Sequence, residues 1–129
     1  MTEYGALVAE AKTLNQEDVT LPVAEDSWDT RPDTESYGLI SLDFEAGSLD
    51  GDSVKQDEAF EGSMDLFSYK RGGAGWIPLI RAMLTKHCGA SWRLNSRQYE
   101  HETNLHHWEW TFQIGNAEVP EPVTTESDD

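Results

Sequence analysis

The chain is short of positive charge. Lys and Arg together number nine in 129 residues, against twenty-five Asp and Glu, for a formal charge of −16. That deficit excludes the usual means of gripping nucleic acid or an anionic bilayer, since both need a basic patch. Cysteine is nearly absent: Cys88 stands alone, so no internal disulfide forms, and the expected setting is a reducing one, the cytoplasm. No apolar run approaches the length that spans a bilayer. Residues 1–4 lack the basic start and apolar stretch of a secretory signal. The length suits one hydrophobic core rather than two.

What the chain does have is aromatic side chains. Five Trp, four Tyr and four Phe supply a core despite the overall polarity. The acidity itself has three readings that charge alone does not separate: plain solubility, a surface that DNA passes without sticking, or a mimic of DNA's phosphate array.

Periodicity outlines the elements. Tyr4, Leu7, Val8, Ala11 and Leu14 recur at helical spacing and predict an amphipathic helix over residues 2–15, with Thr2 as N-cap and Asn15 as the stop. Residues 19–24 are apolar but contain Pro22, which demotes them to an edge strand or extended connector. In residues 37–46, Ile40, Leu42 and Phe44 alternate with Ser41, Asp43 and Glu45; in residues 59–69, Met64, Leu66 and Ser68 share one face and Phe67 and Tyr69 the other. Residues 47–58 between these strands read as a long polar hairpin loop. Gly72-Gly73-Ala74-Gly75 then breaks the chain before a second helix. That helix carries Trp76, Ile77, Leu79, Ile80, Met83 and Leu84 on more than one side, which predicts that little of it meets water. Pro78 falls in its first turn and Gly89 is the expected C-cap. Trp92 and Leu94 begin another strand. In residues 105–114, Trp108, Trp110, Phe112 and Ile114 alternate strictly with His107, Glu109, Thr111 and Gln113. The expected architecture is α+β: a small, mostly antiparallel sheet of four to five strands packed by two helices, in the order α-β-β-β-α-β-β. It occupies residues 1–115, and a disordered acidic tail follows over residues 116–129.

No motif for catalysis emerges. His106 and His107 are adjacent on a strand and so point to opposite faces; His107 and Glu109 share a face, with His101 nearby, but without the spacing of a zinc site. His87 and Cys88 sit about a hundred degrees apart on a helix, too far for a base to activate a thiol. Asp50-Gly51-Asp52-Ser53 lacks the glycine and glutamate that a calcium loop needs in register. The glycine cluster has no Lys-Ser or Lys-Thr after it and is not a phosphate loop. The expectation is a protein that is not an enzyme and takes no cofactor or metal. The scarce basic residues are concentrated, and Lys70, Arg71, Arg93 and Arg97 are candidate inter-subunit residues, set either against acidic surfaces of neighbouring copies or in internal ion pairs.

The succession of Ser36-Tyr37-Gly38-Leu39-Ile40, the acidic loop, Glu61-Gly62-Ser63-Met64-Asp65-Leu66-Phe67, a helix, and Tyr99-Glu100-His101-Glu102-Thr103 leading into the Trp108–Phe112 run resembles the tail terminator or minor tail proteins of long-tailed bacteriophages and prophages. The likeness covers about 110 residues as an arrangement of elements, by the same pattern reading. It implies a structural subunit without catalysis. Such a subunit forms a hexameric ring that caps the tail tube, joins it to the head-side neck and leaves a channel for DNA. The implied partners are further copies of the chain, tail tube and neck proteins, and DNA that passes without specific binding, with no membrane. The implied location is the virion tail, assembled in the host cytoplasm. On this reading the loop residues Asp50, Asp52, Lys55, Asp57 and Glu58 line the channel or touch the adjoining ring. The alternative is an acidic DNA mimic that inhibits a host nucleic-acid-binding protein.

Overall fold

The computed structural model describes residues 2–46 and 59–115. The loop candidates Asp50, Asp52, Lys55, Asp57 and Glu58, and the acidic tail over residues 116–129, lie outside the described residues.

Helix α1 (Glu3–Ala11) starts where the sequence predicts, with the Thr2 hydroxyl accepting from the Gly5 N–H at 3.0 Å. It ends at Ala11, short of Asn15. Asn15 instead opens a small hairpin, β1 (Asn15–Gln16) and β2 (Val19–Thr20), whose turn residues Glu17 and Asp18 both take positive φ, 49° and 70°. That is the geometry of a tight two-residue hairpin turn, normally announced by Asn-Gly or Asp-Gly. Here Asn15 Oδ1 accepts from the Asp18 N–H at 3.2 Å and holds the turn without a glycine.

The main sheet contains β3 (Val23–Glu25), β4 (Ser36–Ala46), β5 (Ala59–Ser68), β6 (Trp92–Glu100) and β7 (Leu105–Gly115), in the spatial order β3-β4-β5-β7-β6. Every neighbouring pair is antiparallel except β3 with β4. The α+β class and the two-helix, mostly antiparallel sheet match the expectation. The weak strand of residues 19–24 divides in two, however, and its second half takes an edge, as Pro22 requires. Pro22 still contributes its carbonyl, which accepts from the Gly38 N–H at 2.7 Å.

Both helices lie on one face of the sheet. Helix α2 (Trp76–Cys88) follows a turn in which Gly73 and Gly75 adopt φ of 81° and 85°, and Gln16 Nε2 donates to the Ala74 carbonyl at 2.9 Å. Gly89 closes α2 with its N–H on the Thr85 carbonyl. The expectation that α2 keeps little of itself in water is corrected: Pro78, Arg81, Ala82, Thr85 and Lys86 are exposed. Alpha1 and the sheet cover only one side of α2, where Trp76, Ile80, Met83 and Leu84 are buried. Glu10 ties the helices together through His87 Nε2 at 2.8 Å and Lys86 Nζ at 3.0 Å. The core is completed by Ile40, Met64, Leu66, Trp108, Trp110, Phe112 and Ile114, the helix-facing phase of three central strands. Among the described residues no helix is long and apolar enough to cross a membrane.

Candidate functional site

The phase of the strands opposite the core forms a second sheet face, and among the described residues no helix lies upon it. Register aligns its residues in rows across β4, β5 and β7. Tyr37 pairs with Phe67 and Phe67 with His107; Leu39 with Asp65 and Asp65 with Glu109; Ser41 with Ser63 and Ser63 with Thr111. Glu61 follows opposite Gln113, and Asp43 sits at the β-bulge between Leu42 and Phe44.

The first row is a stack. Tyr37 and Phe67 rings lie 4.9 Å apart at 13°, and the His107 ring lies 4.2 Å from Phe67 at 19°. Trp28, in the connection from β3 to β4, caps the row edge-on at 6.1 Å from Tyr37 and donates from Nε1 to the Gly38 carbonyl at 3.0 Å. Tyr37 is thereby left only 4% exposed. Burial raises its pKa, and the adjacent Arg31 guanidinium opposes that rise. His107 Nε2 meets Asp65 Oδ2 at 2.9 Å, while its Nδ1 lies 3.8 Å from Glu100 Oε2.

Beyond this row the face is acidic. Asp65 and Glu109 are direct cross-strand neighbours, an arrangement that like charges disfavour. His107 partners the first, and Asn95 Nδ2 donates to the second at 3.2 Å. Asp43 has a raised pKa, first from burial and then from the fields of Glu109, Glu61 and Asp65. Three carboxylates therefore bear on Asp43 across this face. Where β5, β7 and β6 run out together, a shallow groove of about 280 Å³ is lined by Glu61, Arg93, Thr111 and Gln113, with Phe112 and residues 90–92.

The candidate basic residues divide. Arg97 Nη2 donates to the Arg71 carbonyl at 3.2 Å, which brings Arg97, Arg71 and Lys70 to one corner. Lys70 also makes an exposed ion pair with Glu35 at 3.7 Å. Arg93 is separated from them by a bulge at Asn95 in β6. It pairs in register with Thr111 on the acidic face, whereas Arg97 pairs with Trp108 on the helix side and sits 5.5 Å over its ring.

The histidine group is not brought together. His107 turns to Asp65 and Glu100, whereas His101 and His106 pack against Tyr99 at 4.8 Å and 4.7 Å. Among the described residues no three His, Cys, Asp or Glu side chains are placed to hold a metal ion. Cys88 is half-buried, and burial, reinforced by Glu3, pushes its pKa up to about 11. His87 engages Glu10. The sequence did carry a signal for the acidic face, since Asp43, Glu61, Asp65 and Glu109 all occupy the polar phase of their strands. Strand order was needed to set them side by side. Chemically, the face presents a fixed negative field with one paired imidazole at its margin. Compared with family models, curated proteins and solved structures, the chain matches none.

Proposed function

We propose that the chain is a structural assembly protein, a ring subunit of the phage tail terminator type. On this reading it caps a tail tube, joins it to the head-side neck and surrounds a passage for DNA. The observation that carries the reading is the unlike character of the two sheet faces. One is filled by α1 and α2, and the other holds Asp43, Glu61, Asp65 and Glu109 with no helix over them among the described residues. A wall facing moving DNA must not bind it, and clustered carboxylates repel phosphate where lysine or arginine would retain it. The protein works by shape, self-association and repulsion, as part of a virion tail assembled in the host cytoplasm.

The same face also favours a second reading, the acidic DNA mimic. Asp65 stands opposite Glu109 on the neighbouring strand, with Glu61 further along β5 and Asp43 on β4, and carboxylates spread across three strands are what a DNA-binding groove could take for phosphates.

Light scattering after size exclusion, with negative-stain imaging, separates the two. Rings of about six subunits are expected from the first reading, as closed cyclic symmetry requires. A protein that stays monomeric at high concentration overturns it. If that monomer displaces DNA from a host DNA-binding protein, the mimic takes its place.

A further inference from the structure

The two edges of the main sheet differ in length, charge and composition. Beta6 is nine residues long, and among the described residues no strand pairs with its outer side. An edge of this length is a template for another strand unless it is blunted. Beta6 has no proline, and Leu94 and Tyr99 on it are 48% and 42% exposed. Its charges, up to the terminal Glu100, are Arg93 and Arg97. The bulge at Asn95 sends Arg93 to the acidic face and Arg97 to the helix face, so a guanidinium flanks the edge on each side. Arg71 and Lys70 adjoin Arg97.

The opposite edge, β3, is three residues long. It ends in Glu25, is followed at once by Asp26, and leads into a connection with Asp29 and Asp33, while Glu35 at the far end already pairs with Lys70 of the same chain. Arg31, the one base in that connection, lies beside Tyr37. Beta3 bonds to β4 through one side, and among the described residues its other side has no strand partner.

We propose that the β6 edge of one subunit docks on the β3 edge of a second copy of this chain, continuing the sheet from subunit to subunit. Arg93 and Arg97 then reach Glu25, Asp26 and the carboxylates that follow. The proposal rests on the reading of the chain as a ring subunit and specifies how that ring is built. Because β3 is short, backbone pairing supplies few hydrogen bonds. Charge-assisted bonds from arginine carry the selectivity, since its planar fork matches carboxylate geometry. Joining unlike edges is a heterologous contact, which closes into a ring when the rotation per subunit allows. A two-fold β6–β6 contact would instead bring the two arginine-bearing edges together, with like charges repelling.

The test is charge reversal on the full chain. The double variant Arg93→Glu/Arg97→Glu is expected to raise the concentration at half-assembly by at least about 30-fold while keeping its circular dichroism spectrum and cooperative unfolding, because both side chains are exposed and within the subunit Arg97 gives up only its contacts with the Arg71 carbonyl and the Trp108 ring face. Combining it with Glu25→Lys/Asp26→Lys is expected to recover much of the assembly, which separates edge pairing from a folding defect. If rings form in the wild type and persist in the arginine variant, this edge contact is wrong and the ring reading stands. Failure of the combined variant to recover assembly rejects β3 as the partner edge. A two-fold dimer in place of rings rejects the head-to-tail contact. A wild type that never associates overturns the ring reading, and the contact with it.

Discussion

Replacing Asp43 by asparagine should stabilise the fold near neutral pH, and the gain should disappear in acid. Asp43 stands at the β4 bulge, where partial loss of hydration and the charges of Glu109, Glu61 and Asp65 raise its pKa although the residue remains open to solvent. The folded state therefore holds the Asp43 proton more tightly than the unfolded chain does. Between the ordinary aspartate pKa and the raised folded value, the folded state carries more bound proton, so stability falls as pH rises through that window. Above it the full penalty applies; below it both states are protonated and the penalty is gone. The Asp43 side chain is exposed, so solvent screens its repulsions, and the shift does not translate directly into stability. Three like-charge neighbours at a few tenths of a kcal/mol each give a net effect of about 0.5 kcal/mol at low salt. With a urea dependence of about 1.5 kcal/mol per molar, Asp43→Asn should move the unfolding midpoint up by about 0.3 M near pH 7. The difference should shrink towards zero near pH 3 and be roughly halved or less in ~0.5 M salt. Urea titrations of both proteins across that pH range measure it directly. A variant less stable than the wild type at neutral pH, or an advantage independent of pH and salt, refutes the picture of a shared negative field on this face.

Three further outcomes follow from the packing. A Cβ at Gly62 would lie 2.8 Å from Phe112 Cζ and against the Ser41 carbonyl, so Gly62→Ala should cost about 2 kcal/mol or more, read as a lowered thermal midpoint; an unchanged midpoint would mean that β5 is not held this closely between its neighbours. The buried Tyr4 hydroxyl makes no well-formed hydrogen bond among the described residues, although the Glu25 carboxylate stands close by, so Tyr4→Phe should be neutral or stabilising by up to about 1 kcal/mol; a clear loss in urea titration would show that the hydroxyl is bonded to Glu25. With its pKa pushed up to about 11, Cys88 should resist an aromatic disulfide reagent at neutral pH in the folded protein and react promptly once denaturant is added. Rapid reaction in the folded state would contradict its burial.

Much of the architecture is legible in local patterns. The alternation of Trp108, Trp110, Phe112 and Ile114 specifies a half-buried strand wherever it is placed, and those four residues lie in the core. The caps at Thr2 and Gly89 are equally local, because each satisfies backbone groups within a turn of itself. The early end of α1 was not legible, since Glu17 and Asp18 turn through positive φ without the glycine that usually marks such a turn. Nor was the exposed side of α2, which depends on how much of a doubly apolar helix its neighbours reach.

Local spacing specified the four long strands, the caps at Thr2 and Gly89, the two helices and the excess of carboxylates, because it dictates which side chains share a face. The tertiary structure alone decided which faces and edges meet. Residues far apart in the chain, Asp43, Glu61, Asp65 and Glu109, came to share one sheet face through the order β4-β5-β7. The bulge at Asn95 moved Arg93 and Arg97 to opposite sides of one strand, although their spacing of four along a regular strand would have kept them together. Strand order and bulges arise from non-local backbone hydrogen bonding and core packing, which leave no period in the sequence. The acidity of the chain was evident from composition; that Asp43, Glu61, Asp65 and Glu109 share one sheet face, with the arginines at the β6 edge, is a property of the fold.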